Sequence, residues 1–228
     1  MQSDKDKARY LQKALGYSLS GDTREECFFI LYGATSRNGK SVLMETYKRT
    51  MGDYGKATSP ETIAMKERSD SSKPSEDVAR LAGARFVNIS EPDKNLVLSS
   101  ALIKTLTGND TIQARFLHEH IFEYQPQFKI FVNTNHLPRV TDSTVFSSDR
   151  IKVIPFERHF EESERDTSLK RLFSDKSNQS AVLNWCLEGF NAYQTEGLSV
   201  PASVQKATTE YMVDSDDITR FMDEELIT

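Results

Sequence analysis

The chain has 228 residues, a formal net charge of −5 and two cysteines. That length suits one main domain with appendages and is ample for a sizeable core. No apolar run approaches a membrane span, and the start, Met1-Gln2-Ser3-Asp4-Lys5-Asp6, is not a signal peptide, so a cytoplasmic protein without a membrane partner is expected.

Charge is unevenly spread. Residues 157–228 hold seven Lys/Arg against fifteen Asp/Glu, leaving 22 against 19 in residues 1–156. A nucleic-acid contact would therefore need a local basic or aromatic feature, because the overall field is acidic. Cys27 and Cys186 both stand in apolar surroundings and read as reduced core thiols, with no support for a zinc site.

Residues 4–20 read as an amphipathic helix with Tyr10, Leu11, Ala14 and Leu15 on one face. After a turn at 21–24, the run Cys27-Phe28-Phe29-Ile30-Leu31-Tyr32 reads as a buried strand. It leads into Gly33-Ala34-Thr35-Ser36-Arg37-Asn38-Gly39-Lys40-Ser41 and then into a helix opened by Val42. Strand, loop, Gly-Lys-Ser and helix form the context of a P-loop, whose backbone N–H groups and helix N-terminus cradle phosphate. In such a loop Lys40 reaches the β- and γ-phosphates and the Ser41 hydroxyl ligates Mg²⁺. Residues 33–42 are therefore the expected ATP-binding segment, with Ala34 where the first glycine of the motif usually falls.

A break at 52–55 and a polar stretch at 59–76 precede a short helix at 77–81. Apolar strands follow at 85–89, ending in Ser90-Glu91-Pro92-Asp93, and at 128–132, ending in Asn133-Thr134-Asn135. Between them lie a helix at 99–106 and a hairpin with arms at 111–117 and 121–124 and His118-Glu119-His120 at its tip. A last strand is expected at 150–156, then helices at 167–172, 180–194, 201–212 and 216–226. Strands alternating with helices predict an α/β P-loop NTPase with a central, mostly parallel sheet, an inserted β-hairpin and helical additions at both ends. The expected division is 1–24, 25–160 and 161–228.

Hydrolysis needs an acid at the carboxyl end of a strand beside the loop strand. Glu91 fits as water activator and magnesium ligand with Ser41, and Asp93 is a possible second acid. Asn135, or Asn133, ends the next strand, where an amide can donate to phosphate and orient water. Arg150 could meet transition-state charge on a neighbouring subunit's ATP, or be a surface arginine paired to an acid.

The order of these segments resembles the superfamily 3 helicase domain of phage and plasmid primase-helicases, an AAA+-like group. The resemblance rests on residues 10–21, Asn38-Gly39-Lys40-Ser41, Ile89-Ser90-Glu91, residues 102–110 with Ala114-Arg115, residues 133–138, residues 149–156 and residues 182–189. It implies an ATP- and Mg²⁺-dependent hexameric motor on single-stranded DNA, joined to a primase domain or other replication proteins, in the cytoplasm of a bacterial host. In that reading Lys40 and Ser41 are Walker A contacts, Glu91 the Walker B acid, Asn135 the sensor and Arg150 the trans-acting finger, with Asp149 where the family has a first arginine. Lys104, Arg115, His118 and His120 would contact DNA, Lys104 and Arg115 being alternatively ion-pair partners of Asp110 or Glu123. Two other functions fit the same loop. One is an ATP-dependent initiator or loader that assembles without unwinding. The other is a small-molecule kinase, for which Arg158, Arg165 and Arg171 would have to form the lid.

Overall fold

The computed structural model describes residues 4–65 and 76–215. The first helix, α1 (Lys5–Tyr17), is capped by Asp4, whose carboxylate accepts from the Lys7 backbone N–H at 2.8 Å. Strand β1 (Phe28–Tyr32) leads to α2 (Lys40–Met51), then β2 (Gly55–Thr58), α3 (Glu76–Ala79) and β3 (Phe86–Ser90). Next come β4 (Val97–Leu98), α4 (Ser100–Thr107), β5 (Ile112–Ala114), β6 (Phe122–Tyr124) and β7 (Lys129–Thr134). The chain continues through β8 (Arg139–Val140), α5 (Thr144–Ser147), β9 (Ile151–Pro155), α6 (Leu169–Leu172), α7 (Lys176–Glu196) and α8 (Ala202–Ser215).

Five strands form one sheet in the order β2-β3-β7-β1-β9, with every pairing parallel. A parallel sheet is stable only with both faces covered. One face presents Phe28, Ile30, Val87, Ile89, Val132 and Val153 to α4 and to Tyr211 of α8. The other presents Phe29, Leu31, Phe86, Phe131 and Ile154 to α1, α2 and α7. Across that second face Phe29 stacks on Phe131 with ring centres 4.7 Å apart, and Tyr47 of α2 meets Phe86 edge-on at 4.8 Å.

The strand carrying the Gly-Lys-Ser loop lies inside the sheet. From β1 the chain runs out to β2 at one edge, returns through β3 and β7, then crosses β1 to place β9 on its far side. The crevice at the carboxyl ends of β1, β3 and β7 is therefore a topological switch point, where open α/β sheets bind ligands.

Several elements depart from expectation. Strand β2 falls where only a break was anticipated. Its sequence Gly-Lys-Ala-Thr carries no apolar alternation, and pairing with β3 makes it a strand. The hairpin arms shorten to three residues each. Helix α7 begins at Lys176, four residues before the expected start, because Asp175 caps it by accepting from the Ser177 N–H at 2.8 Å. The helix expected at 216–226 and most of the polar stretch at 59–76 lie outside the described residues.

Candidate active site at the carboxyl rim of the sheet

Three strand ends are brought level by the sheet register: Tyr32 pairs with Thr134, and Ser90 with Asn133. The Gly33 N–H donates to the Thr134 carbonyl at 3.2 Å and the Glu91 N–H to the Asn133 carbonyl at 2.8 Å, tying loop 33–39 and Glu91 to the end of β7. Lys40 is the centre of this rim. Its Nζ donates to Asn135 Oδ1 at 2.8 Å, Asn38 Oδ1 at 3.0 Å and the Gly33 carbonyl at 3.4 Å, and the residue is only 5% exposed. Burial lowers its pKa, and the Glu91 carboxylate opposes that shift. Lys40 and Asn135 are thus in contact and Glu91 stands at the same rim, although Lys40 and Glu91 are 51 positions apart in the chain.

The loop is held by contacts that only small or flexible residues permit. A methyl on Gly33 would sit 2.2 Å from Asn38 Nδ2 and 2.6 Å from the Phe156 carbonyl, so glycine is required there. Gly39 takes φ +86° at the entrance to α2, and Arg37 takes φ +60°. Asn38 braces the loop by donating to the Thr35 carbonyl at 2.7 Å and the Phe156 carbonyl at 3.4 Å. The segment after β9 adds two more braces: the Phe160 N–H donates to the Arg37 carbonyl at 2.9 Å, and His159 Nδ1 lies 2.8 Å from the Ser36 carbonyl. Among the described residues no side chain caps α2, so its first N–H groups, at Lys40, Ser41 and Val42, face the rim without intrahelical partners. Ser41 is exposed in that first turn, as are Ala34, Thr35 and Ser36 in the loop.

One residue near this rim escaped the sequence reading. Asn88 stands in the middle of β3, facing α2, and donates to Ser90 Oγ at 2.9 Å. Among the described residues its Oδ1 is buried without a partner, and so is Asn133 Oδ1 on the adjacent strand. An amide inside the apolar run Phe86-Val87-Asn88-Ile89 was the signal available for it, whereas Asn133 is the alternative to Asn135 named from the sequence. Unpaired buried acceptors beside an uncapped helix start and an exposed serine fit a hydrated cation with its phosphate. Glu91 itself is exposed and takes φ +50°, a left-handed conformation that costs a non-glycine residue roughly 1 kcal/mol or more and recurs at functional sites.

The remaining site candidates lie elsewhere. Arg150 precedes β9 at the amino rim of the sheet, opposite Lys40. It donates to Glu26 Oε2 at 2.7 Å, the Glu26 carbonyl at 3.2 Å and Thr107 Oγ1 at 2.9 Å. Lys104 sits on α4 and pairs with Asp142 at 3.6 Å, a partner other than either anticipated one. Arg115, His118 and His120 belong to the loop between β5 and β6, with His118 at φ +63° and both histidines exposed. Asn109, at the base of this hairpin, donates to Glu26 Oε1 at 3.1 Å, so the hairpin is rooted at the same amino rim as Arg150.

Among known proteins, the family described as "Family of unknown function (DUF5906)" matches residues 31–150. "Putative helicase L207/L206" of Acanthamoeba polyphaga mimivirus is 33% identical over 242 residues, covering 100% of this chain and 25% of that protein. "Putative helicase 022R" of Frog virus 3 (isolate Goorha) is 29% identical over 155 residues, covering 66% of this chain and 16% of its own length. This chain therefore spans a quarter or less of the curated relatives it matches. The apo A form of the NrS-1 C-terminal region superposes with a TM-score of 0.64 at 17% identity, over 95% of this chain and 52% of that one, which is a likeness of fold. The family match takes in 120 of the 228 residues, including the loop, Glu91, Asn135 and Arg150, and the chain belongs to DUF5906.

Proposed function

We propose that this chain is the ATP-driven motor domain of a replicative DNA helicase, a P-loop ATPase of the superfamily 3 kind working within a longer replication protein. The observation that carries the reading is the convergence at one rim of a buried lysine, an amide and a carboxylate that follow three parallel strands: Lys40 bonded to Asn135, with the Glu91 carboxylate close enough to act on its charge. The helicase names of the viral relatives support the same reading.

In this proposal the free N–H groups of Lys40, Ser41 and Val42 receive the β-phosphate, and the Lys40 ammonium exchanges Asn38 and Asn135 for β- and γ-phosphate oxygens. Asn135, released, donates to the γ-phosphate and orients the attacking water. Glu91 takes the proton from that water. Ser41 and Glu91 would hold magnesium, and the unpaired Asn88 and Asn133 carbonyl oxygens would accept from its waters. Magnesium, when bound, supplies positive charge against the phosphate oxygens. Arg150 would act on a neighbouring copy's triphosphate in a ring, and the loop bearing His118 and His120 would meet the DNA strand.

Steady-state ATP turnover, with and without single-stranded DNA, tests the reading. Glu91→Gln is expected to bind ATP but turn over at least about 100-fold slower, whereas Lys40→Ala loses binding and turnover together. Stimulation by single strands separates a motor from an assembly ATPase. Wild-type turnover in Glu91→Gln would remove the carboxylate from the chemistry and the proposal with it.

A further inference from the structure

Beside the loop lies a cleft of about 930 Å³ walled by α2, α6, α7 and the segment after β9. It begins at Gly39 and passes along Val42 and Leu43 on the first turns of α2. Its aromatic lining is Phe160, Phe173 and Trp185, with the fully buried Tyr47. Phe160 is fixed against the loop: its backbone N–H bonds to Arg37, and its ring edge lies 4.0 Å from where a Gly39 methyl would be. Trp185 is the only tryptophan in the chain. The Gln12 amide anchors its backbone carbonyl at 2.8 Å, while the residue is 38% exposed. A large, positioned, part-exposed aromatic in an apolar cleft is the usual furniture of a small-molecule pocket.

We infer that this cleft is the nucleobase subsite, holding the base of the bound nucleotide by aromatic contact with Trp185 and Phe160. The inference rests on the nucleotide reading of the loop and says where the rest of the molecule goes. Lys40, Asn135 and Glu91 fix the γ-phosphate end toward β7 and β3. The opposite end of the nucleotide must leave past Gly39 and Val42, where the absence of a side chain on Gly39 opens the way into the cleft. Because Trp185 belongs to α7 and Phe160 to the segment after β9, base binding would also join the C-terminal helices to the loop. Recognition by stacking tolerates different bases, so discrimination between nucleotides should be weak.

Calorimetric titration of the full chain with magnesium–ATP and with magnesium–tripolyphosphate tests the assignment, alongside Trp185 emission. ATP is expected to bind about tenfold or more tighter than tripolyphosphate and to shift Trp185 emission, which tripolyphosphate leaves unmoved. Trp185→Ala and Phe160→Ala should each weaken ATP about tenfold with tripolyphosphate affinity unchanged, and Trp185→Phe should keep most of the affinity. If both ligands bind, with ATP unaffected by either alanine variant or with both ligands weakened alike, the base subsite is overturned and the loop reading stands. If the wild-type chain binds neither ligand, both fall.

Discussion

Asn135 holds Lys40 in place, and Lys129 shows what such a lysine costs when nothing at the active rim needs it. Asn135→Ala removes the shortest of the three bonds at the Lys40 ammonium. In the proposed mechanism that amide acts mainly on the γ-phosphate and water, so turnover should fall about 10- to 100-fold while ATP affinity changes little. A parallel loss of affinity and rate would make Asn135 a prop for Lys40 alone. Lys129 begins β7 at the other end of the sheet, 2% exposed, with Nζ donating to the Ser20 carbonyl and lying 4.3 Å from the centre of the Tyr17 ring. Burial pushes its pKa down to about 7, opposed by the Asp22 carboxylate. Below pH 7 folded and unfolded chains both carry this proton; from there up to the ordinary lysine range the unfolded chain binds more protons, so stability rises with pH. Above pH 9 the effect is opposed, because burial holds the Cys27 and Cys186 thiols up to about 12 and unfolding lets them ionise. Urea unfolding between pH 6.5 and 8.5 should show a gain of about 1–2 kcal/mol that Lys129→Met abolishes; equal slopes in the two proteins would refute the assignment to Lys129.

At the scale of elements, the helix pair α1–α7 secures the second face of the sheet, and two glycines set its spacing. A methyl on Gly189 would fall 2.1 Å from the Gln12 carbonyl oxygen, and one on Gly16 2.3 Å from the Phe190 nitrogen, backbone contacts that cannot yield without moving a helix. Gly189→Ala should therefore destabilise by about 1–3 kcal/mol despite alanine's better helix propensity, read as a lower urea midpoint. A gain in stability would mean the helices separate freely. This crossing was not visible in the sequence, since a lone glycine in a helix pattern does not name what it touches. Strands β1, β3, β7 and β9 were visible, because strands buried on both faces need continuous apolar runs. Strand β2 was not, because an edge strand of polar and small residues exists through its neighbour. The site divides in the same way. Glu91 and Asn135 could be placed because each ends a readable strand. The bond from Lys40 to Asn135 depends on sheet order, and the braces from Phe156, His159 and Phe160 come from a segment more than 110 residues downstream of the loop.

For the whole molecule, Arg150 is the decisive residue, because one chain alone does not bring it to its own Lys40. Within the chain it is a clamp: Glu26 before β1, Thr107 at the end of α4 and the start of β9 all meet at its guanidinium, which is 15% exposed at the side chain. Serving a neighbour's triphosphate would require Arg150 to give up Glu26 for phosphate, and a phosphate chain can compensate the loss with a bidentate, charge-assisted contact. Glu26 sits at φ +44°, a strained conformation for glutamate, and its carboxylate also accepts from Asn109 at the hairpin base. Opening the pair would thus act on the loop strand and the hairpin together, the coupling a motor needs between hydrolysis and strand contact. The discriminating experiment mixes Arg150→Ala with Glu91→Gln chains, each expected to be inactive alone. If Arg150 acts across the boundary, mixed assemblies contain interfaces with an intact Glu91 on one side and an intact Arg150 on the other, and a fraction of wild-type turnover returns. Melting curves of Arg150→Ala measured beside it report the clamp, since loss of the Glu26 and Thr107 contacts should lower the midpoint whether or not the residue serves a neighbour. Turnover that stays absent at every mixing ratio, in assemblies shown by light scattering to contain both variants, would leave Arg150 the clamp alone and assign the transition-state charge to another cation.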